Sequence, residues 1–200
     1  MERKKVLFAT SNPAKVKKYA EKLKEKNIDL LTLKDIDIDI EVEENGKNAL
    51  ENAFIKAKSY FDATNIVTIG MDNNLFIEEL PKEKQPGTHV RRVNGKRLTD
   101  DEMIEYYTGL VKEYGGKLTA KWVYGMVIYD GIEKKEYSWS KGNFYFVDTP
   151  CKKRNPGYPL DSITIVPKFN KYLVELDEKE KATKDENKDD KVIDFIIQNI

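Results

Sequence analysis

Three short stretches of this 200-residue chain carry residue types able to do chemistry. In Thr10-Ser11-Asn12-Pro13-Ala14-Lys15 an apolar run hands small polar side chains to the start of a helical pattern. A helix N-terminus offers free backbone N–H groups and the positive end of its dipole. Lys15 adds a formal charge, so the segment suits an anion such as phosphate. An ordinary capped helix with a solvated lysine would use the same residues. The segment is not a Walker-type loop, because the glycines and the Gly-Lys-Ser/Thr ending are missing. The second stretch is Glu43-Glu44-Asn45-Gly46, followed by Asn52 and Lys56. Those two are four apart and share a helix face. The carboxylate could hold a metal and the lysine a phosphate; a polar turn and a surface lysine are the simpler alternative. The third is Met71-Asp72-Asn73-Asn74-Leu75. An acid directly after an apolar strand, at a sharp polar turn, sits where α/β sheets expose reactive groups. A turn-forming Asp/Asn cluster explains the same residues.

The elements that must position these groups follow from periodicity. Residues 5–10 form a short apolar run suited to a buried strand. Asn12 reads as a helix N-cap with Pro13 at the first helical position, and Val16, Tyr19, Ala20 and Leu23 follow at helical spacing. Residues 29–33 read as a second strand. Residues 35–42 alternate strictly, with Ile36, Ile38, Ile40 and Val42 on one face and Asp35, Asp37, Asp39 and Glu41 on the other. That pattern predicts a half-buried strand with a solvated acidic face. Asn48 and Glu51 resemble a capping box for a helix to about Ala63. Residues 66–71 and 75–80 are expected as two further strands, before a proline-bounded loop over 81–87. Thr99 caps a helix to about Tyr114, ended by Gly115-Gly116. Residues 118–129 and 134–147 read as an antiparallel hairpin around Asp130-Gly131. Residues 150–159 should be loop, 160–166 a strand, and 192–200 a short amphipathic helix. Between them 175–191 is almost continuous charge, expected as solvated helix or mobile loop. The fold class is α/β, with a mixed central sheet flanked by helices and two lobes around an active-site cleft.

Composition bounds the function. Hydrophobic residues make up 40% of the chain and recur in blocks, which argues against disorder as a description of the whole. Thirty-five basic residues balance thirty-five acidic ones, so net charge gives no argument for nucleic acid or an anionic membrane as partner. No apolar run approaches the roughly 20 residues of a membrane span. The apolar run near the N-terminus stops at Ser11-Asn12-Pro13 and is not read as a signal peptide. Cys151 is alone and cannot form an internal disulfide, which fits a reducing cytoplasm. The lone His89 is read as structural or at a rim.

Taken together, the three stretches resemble the inosine triphosphate pyrophosphatase family. Its opening strand ends Ala-Thr-(Gly/Ser)-Asn with a lysine three residues on, matched by Ala9-Thr10-Ser11-Asn12 and Lys15. Its Glu-(Thr/Asn)-Gly and Glu-Asn-Ala-x-x-Lys-Ala are matched by Glu44-Asn45-Gly46 and by Glu51-Asn52-Ala53-Phe54-Ile55-Lys56-Ala57. Its acid-Asp-Ser-Gly-Leu turn aligns with Met71 to Leu75, and its Pro-Gly with a later arginine aligns with Pro86-Gly87 and Arg92. The match runs through residues 5–92 and more weakly to about 181, so residues 1–200 are read as one domain of this type.

The resemblance implies magnesium-dependent hydrolysis of a nucleoside triphosphate, of an aberrant purine type, to monophosphate and pyrophosphate. It implies Glu44 and Asp72 as metal carboxylates, and Asp72 as the group that orients or deprotonates the attacking water. Thr10, Ser11, Asn12, Lys15, Asn52, Lys56 and Asn73 would contact the substrate's phosphate end. Tyr158, Asp161 and Lys181 would serve its base end, and the protein would be a cytoplasmic homodimer. Five positions depart from the pattern. Met71 replaces an acid, Asn73-Asn74 replace Ser-Gly, and Glu186 and Asn187 stand where the family has a His-Arg pair. A glutamate accepts hydrogen bonds where arginine donates them. The expected consequence is weaker preference for inosine and xanthosine triphosphates, or a shift toward a base with an exocyclic amine. The departures also support a second reading, a catalytically weakened nucleotide-binding or sensing protein. A nucleic-acid binder using the aromatic hairpin ranks lower, for want of a basic stripe.

Overall fold

The computed structural model describes residues 3–200 except Ser11, Asp37, Asp39, Glu186 and Asn187. The substrate-contact expectation for Ser11 and the base-grip expectation for Glu186 and Asn187 therefore lie outside the described residues. In chain order the elements are β1 (Lys4–Ala9), α1 (Pro13–Glu25), β2 (Ile28–Leu31), α2 (Ala49–Thr64), β3 (Thr68–Ile77), β4 (Arg92–Val93), β5 (Lys96–Arg97), α3 (Asp100–Glu113), β6 (Lys117–Tyr129), β7 (Lys134–Val147), β8 (Thr164–Val166), β9 (Lys171–Tyr172), α4 (Glu178–Asp185) and α5 (Lys188–Gln198). Seven strands form one mixed sheet in the order β2-β1-β3-β6-β7-β8-β9, while β4 and β5 pair separately. β1 runs parallel to β2 and β3, whereas β8 is antiparallel to β7 and β9. β6 and β7 are neighbours joined by only four residues, a connection that permits only an antiparallel return.

The chain divides into two compact units, and the division falls within β3, β6 and β7. In the first unit β1 is buried on both faces from Val6 to Ala9, after the exposed Lys4 and Lys5. Val6 and Phe8 join Tyr19 and Leu23 of α1 and Val192, Ile193 and Ile196 of α5, while Leu7 and Ala9 pack with Tyr60 of α2. Helix α2 lies unusually close to the sheet. Its small residues Ala49, Ala53 and Ala57 recur every four positions, and glycines face them. A Cβ on Gly70 would lie 1.9 Å from the Ala53 carbonyl oxygen, and one on Gly125 would lie 2.6 Å from the backbone of Ala49 and Leu50. Asn48 caps α2 through its side chain, accepting from Glu51 N at 2.9 Å.

The second unit packs α3 against strand residues from Leu75 to Phe146, with Met103, Ile104, Tyr107, Leu110 and Val111 facing Leu118, Ala120, Phe144 and Phe146. Its N-terminus carries a full capping box between Thr99 and Glu102.

Four expectations are corrected. No strand forms among the described residues of 35–42: 33–36 are turn and the described residues beyond are irregular. The alternation nevertheless survives, because Ile36, Ile40 and Val42 pack beside Leu7 and Tyr60 while Glu41 is exposed. An extended segment can bury alternate side chains without a ladder partner. The strands foreseen at 66–71 and 75–80 are one continuous strand, β3. Asp72 to Asn74 therefore lie mid-strand, where the contacts of Asp72 with Asn52 and Lys56 and the continuation of the strand to the Leu75–Gly87 bridge override their turn preference. The strand foreseen over 160–166 is a 3-10 turn, Pro159–Ser162, followed by a three-residue strand. The C-terminal helix starts before Val192, at Lys188. Among the described residues no helix is long and apolar enough to cross a membrane.

Candidate active site

The parallel register of β1 and β3 sets up the site. Ala9, the last residue of β1, lies opposite Gly70, so the turn that follows β1 stands beside Met71 and Asp72, which β3 carries onward. On the β1 side the chain turns at once into α1. Thr10 Oγ1 accepts from Asn12 N at 3.1 Å, and the Asn12 carbonyl accepts the first helical bonds, from Lys15 N and Val16 N. Lys15 follows one turn into the helix.

On the β3 side Asp72 is met by two residues of α2. Asn52 Nδ2 donates to Asp72 Oδ2 at 2.9 Å, and Lys56 Nζ stands 3.6 Å from Asp72 Oδ1. Lys56 also pairs with Glu44 Oε2 at 2.7 Å and donates to the Met71 carbonyl at 3.4 Å. One ammonium thus brings Glu44 and Asp72 onto a common point. Asn52 is only 1% exposed, and both ends of its amide are used: Gly46 N donates to its Oδ1 at 2.7 Å. That bond ties the 43–46 turn to the buried face of α2. Gly46 is required for closeness rather than for backbone freedom, since a Cβ there would lie 2.6 Å from Asn52 Oδ1.

Lys15 belongs to the same cluster. Burial lowers its pKa from the ordinary lysine value, the Lys56 charge lowers it further, and Asp72 and Glu44 oppose the change. Two ammonium groups and two carboxylates therefore interact within the first unit. The arrangement can bind a polyanion if something neutralises the acids. The donor set is all oxygen, and the two carboxylates already share one cation. That fits magnesium, which takes one or two protein carboxylates, keeps several waters and accepts substrate phosphate oxygens. Among the described residues no group of three or more acids, histidines or cysteines offers a fuller cage.

The structure brings Lys15, Glu44, Asn52, Lys56 and Asp72 together. Asn73 follows Asp72 in β3 with its side chain half-buried. Met71, at the position of the family's acid, is 4% exposed and packs in the α1–α5 core. Lys181 lies on α4, exposed and paired with Glu178 at 2.9 Å. Tyr158 and Asp161 line a pocket of about 190 Å³ within the second unit, with Val90, Met103, Trp122 and Leu160. Asp161 Oδ2 also accepts from Asn155 Nδ2 at 2.8 Å. His89 is exposed in the connection after Gly87, where its backbone N–H donates to the Pro86 carbonyl. Sequence reasoning missed Arg91, Asp100 and Trp122 around this pocket. No local signal marks them, because the contacts of Arg91 and Asp100 with Gly157 join residues some sixty positions apart.

A mixed α/β sheet with a lysine–carboxylate cluster where β1 ends beside the middle of β3 describes a class of fold and site, and comparison makes the family specific. The chain belongs to the Ham1 family, whose model matches residues 6–187. It is 31% identical over 188 residues to a dITP/XTP pyrophosphatase of Bacillus subtilis, covering 90% of each chain. It is 29% identical to the dITP/XTP pyrophosphatase of Clostridium perfringens, with 89% of each covered. The structure of the Staphylococcus aureus Ham1 protein superposes with a TM-score of 0.78 at 21% identity, covering 98% of this chain and all of that one.

Proposed function

We propose that this protein hydrolyses nucleoside triphosphates to the monophosphate and pyrophosphate, with magnesium, on aberrant purine substrates. The observation that carries the reading is the convergence of Lys15, Lys56, Glu44 and Asp72, locked by the buried Asn52. The names of the Bacillus and Clostridium relatives support the reaction class. Glu44 and Asp72 would hold the metal, which when bound offsets phosphate charge and polarises the anhydride. Asp72 orients the attacking water and accepts its proton. Asn52 keeps that carboxylate aimed by donating to its second oxygen. Lys15 and Lys56, with Thr10, Asn12 and Asn73, receive the triphosphate at the helix N-terminus. Tyr158, Asp161 and Lys181 serve the base, and the working form is a homodimer, checked by its mass in sedimentation.

The test is a panel of nucleoside triphosphates assayed for pyrophosphate release with and without magnesium. Release of orthophosphate instead, or turnover unaffected by chelation, would contradict the proposal. Met71 favours one second reading, the weakened binder, because the family's acid is here a core methionine. Nucleotide binding without pyrophosphate release would select it. The same panel reads base preference: a ratio of kcat/KM for inosine over adenosine triphosphate well below about a hundredfold is expected. Strong inosine discrimination would mean that other residues grip the base.

Lys15→Ala and Lys56→Ala are each expected to weaken triphosphate binding by roughly 1.5–3 kcal/mol, or about ten- to a hundredfold. The stability costs should differ. Lys56 has 14% side-chain exposure and bridges two carboxylates, so it is no ordinary surface lysine. Its loss removes the ammonium that pairs directly with Glu44 and Asp72, leaving Lys15 to offset both, and should lower the melting temperature of the ligand-free protein. Calorimetric titration with a non-hydrolysable nucleotide and thermal melts check both. Affinity insensitive to both changes would move the anion site elsewhere.

A further inference from the structure

The loop that carries Tyr158 has no regular structure between Val147 and the turn at Pro159, yet one of its residues is held at both its backbone N–H and its carbonyl. Asp100 Oδ2 accepts from Gly157 N at 2.7 Å, and Arg91 Nη2 donates to the Gly157 carbonyl at 3.3 Å. The ring is closed by Arg91 Nη1 and Asp100 Oδ1 at 2.7 Å, and Nη1 also reaches the Leu98 carbonyl at 3.3 Å. A guanidinium fork and a carboxylate fork therefore grip the two ends of one residue, which only groups of this planar geometry can do. The anchor is firm, because Asp100 is the first residue of α3 and the capping box sits on either side of it. Gly157 has φ +82°, a conformation in which a larger residue would be strained, so the clamp fixes an otherwise permissive position. The next residue is Tyr158, 44% exposed, whose carbonyl accepts from Asp161 N at 3.1 Å. Arg91, Tyr158 and Asp161 line the same pocket as Trp122.

We propose that Arg91 and Asp100 are positioning residues that set Tyr158 over this pocket, and so govern affinity for the base end of the substrate without affecting the phosphate end. The proposal rests on the reading of Tyr158 as a base contact. Neither residue acts on the reacting atoms. They act through the backbone of Gly157, and the ordering of Tyr158 is complete before substrate arrives.

The test uses the full chain as Arg91→Ala, Arg91→Lys, Tyr158→Ala and the Arg91→Ala/Tyr158→Ala double variant. KM and kcat are measured for inosine triphosphate, together with the inhibition constant of inorganic tripolyphosphate, which has no base. Arg91→Ala should raise KM roughly tenfold, the scale of one stacked base contact. Its kcat and the tripolyphosphate constant should stay within about twofold. Arg91→Lys, which keeps the charge but not the fork, should fall between. The double variant should be no worse than Tyr158→Ala alone, because both changes remove one effect. In the ligand-free protein, amide exchange at Gly157 and Tyr158 should accelerate in Arg91→Ala, a readout independent of turnover. A wild-type KM in Arg91→Ala beside an impaired Tyr158→Ala overturns the positioning role alone. Additive losses, or unchanged exchange at Gly157, overturn it as well. A wild-type KM in Tyr158→Ala removes the base reading itself, and the positioning role with it, whatever the exchange data show.

Discussion

Asp72→Asn should lower pyrophosphate release by about 10²–10⁴-fold, the range associated with losing a general base. The folded protein should survive. Asparagine is nearly isosteric with aspartate, so its side-chain oxygen can still accept from Asn52 Nδ2, the bond now 2.9 Å long. The other end then becomes an NH₂ group facing the Lys56 ammonium, where Asp72 Oδ1 now lies 3.6 Å away. A donor facing a donor carries no attraction, and one of the two carboxylates at the site has gone. Tolerance of the change therefore depends on matched shape in a strand rather than on the turn chemistry that the sequence suggested. Circular dichroism and a melt separate lost chemistry from lost structure. Turnover near wild type in a folded variant would remove Asp72 from the mechanism.

Gly70→Ala should destabilise the protein by about 3 kcal/mol or more, at the upper end of overpacking effects. The added carbon would lie 1.9 Å from the Ala53 carbonyl oxygen and 2.9 Å from Ala57 N. Both are backbone atoms of α2, so no side chain can rotate away. Either the helix lifts from β3 or the strand bends. Gly109→Ala is the control of opposite sign. Gly109 lies in the interior of α3 with nothing within 4 Å of its added Cβ, so alanine there should stabilise by about 0.5–1 kcal/mol. Denaturant unfolding of the two variants reads both signs at once. Equal stability in the two would contradict the close approach of α2 to the sheet.

Local rules made much of this architecture legible. Pro13 at the start of α1, Asn48 and Glu51 at the start of α2, and Thr99 with Glu102 at the start of α3 are short-range signals, and each helix begins where they stand. The continuous apolar run of β1 likewise announced a strand buried on both faces. Misreadings arose where a local preference met a longer-range demand. Asp72-Asn73-Asn74 has turn chemistry but is carried through β3, because the strand continues into the second unit and Leu75 bridges to Gly87. Residues 35–42 have strand periodicity, but none of the described residues among them pairs with a strand. At the site, Lys15, Glu44, Asn52, Lys56 and Asp72 could be named from motif order alone. What the sequence withheld was their wiring: that Lys56 sits between both acids, that Asn52 spends its oxygen on Gly46, and that Met71 turns into the core. Those facts depend on which side of a helix meets which strand, and no spacing encodes that.

The way α2 rests on the sheet has a mechanical consequence. A helix seated on bulky side chains can be re-seated by a rotamer change, because its contacts are compliant. Here backbone meets backbone at Gly70 and Gly125, so the seat has almost no travel. Asn52 and Lys56 stand one turn apart on that same rigid body, and a displacement of α2 carries both away from Asp72 in the same sense. Catalytic alignment and helix height are then a single coordinate. Gly125 has no side chain, takes no part in the chemistry and lies far along the chain from every residue of the cluster. A methyl group there should nevertheless register as a loss of turnover, because the strand that bears it sets the tolerance to which the site is built.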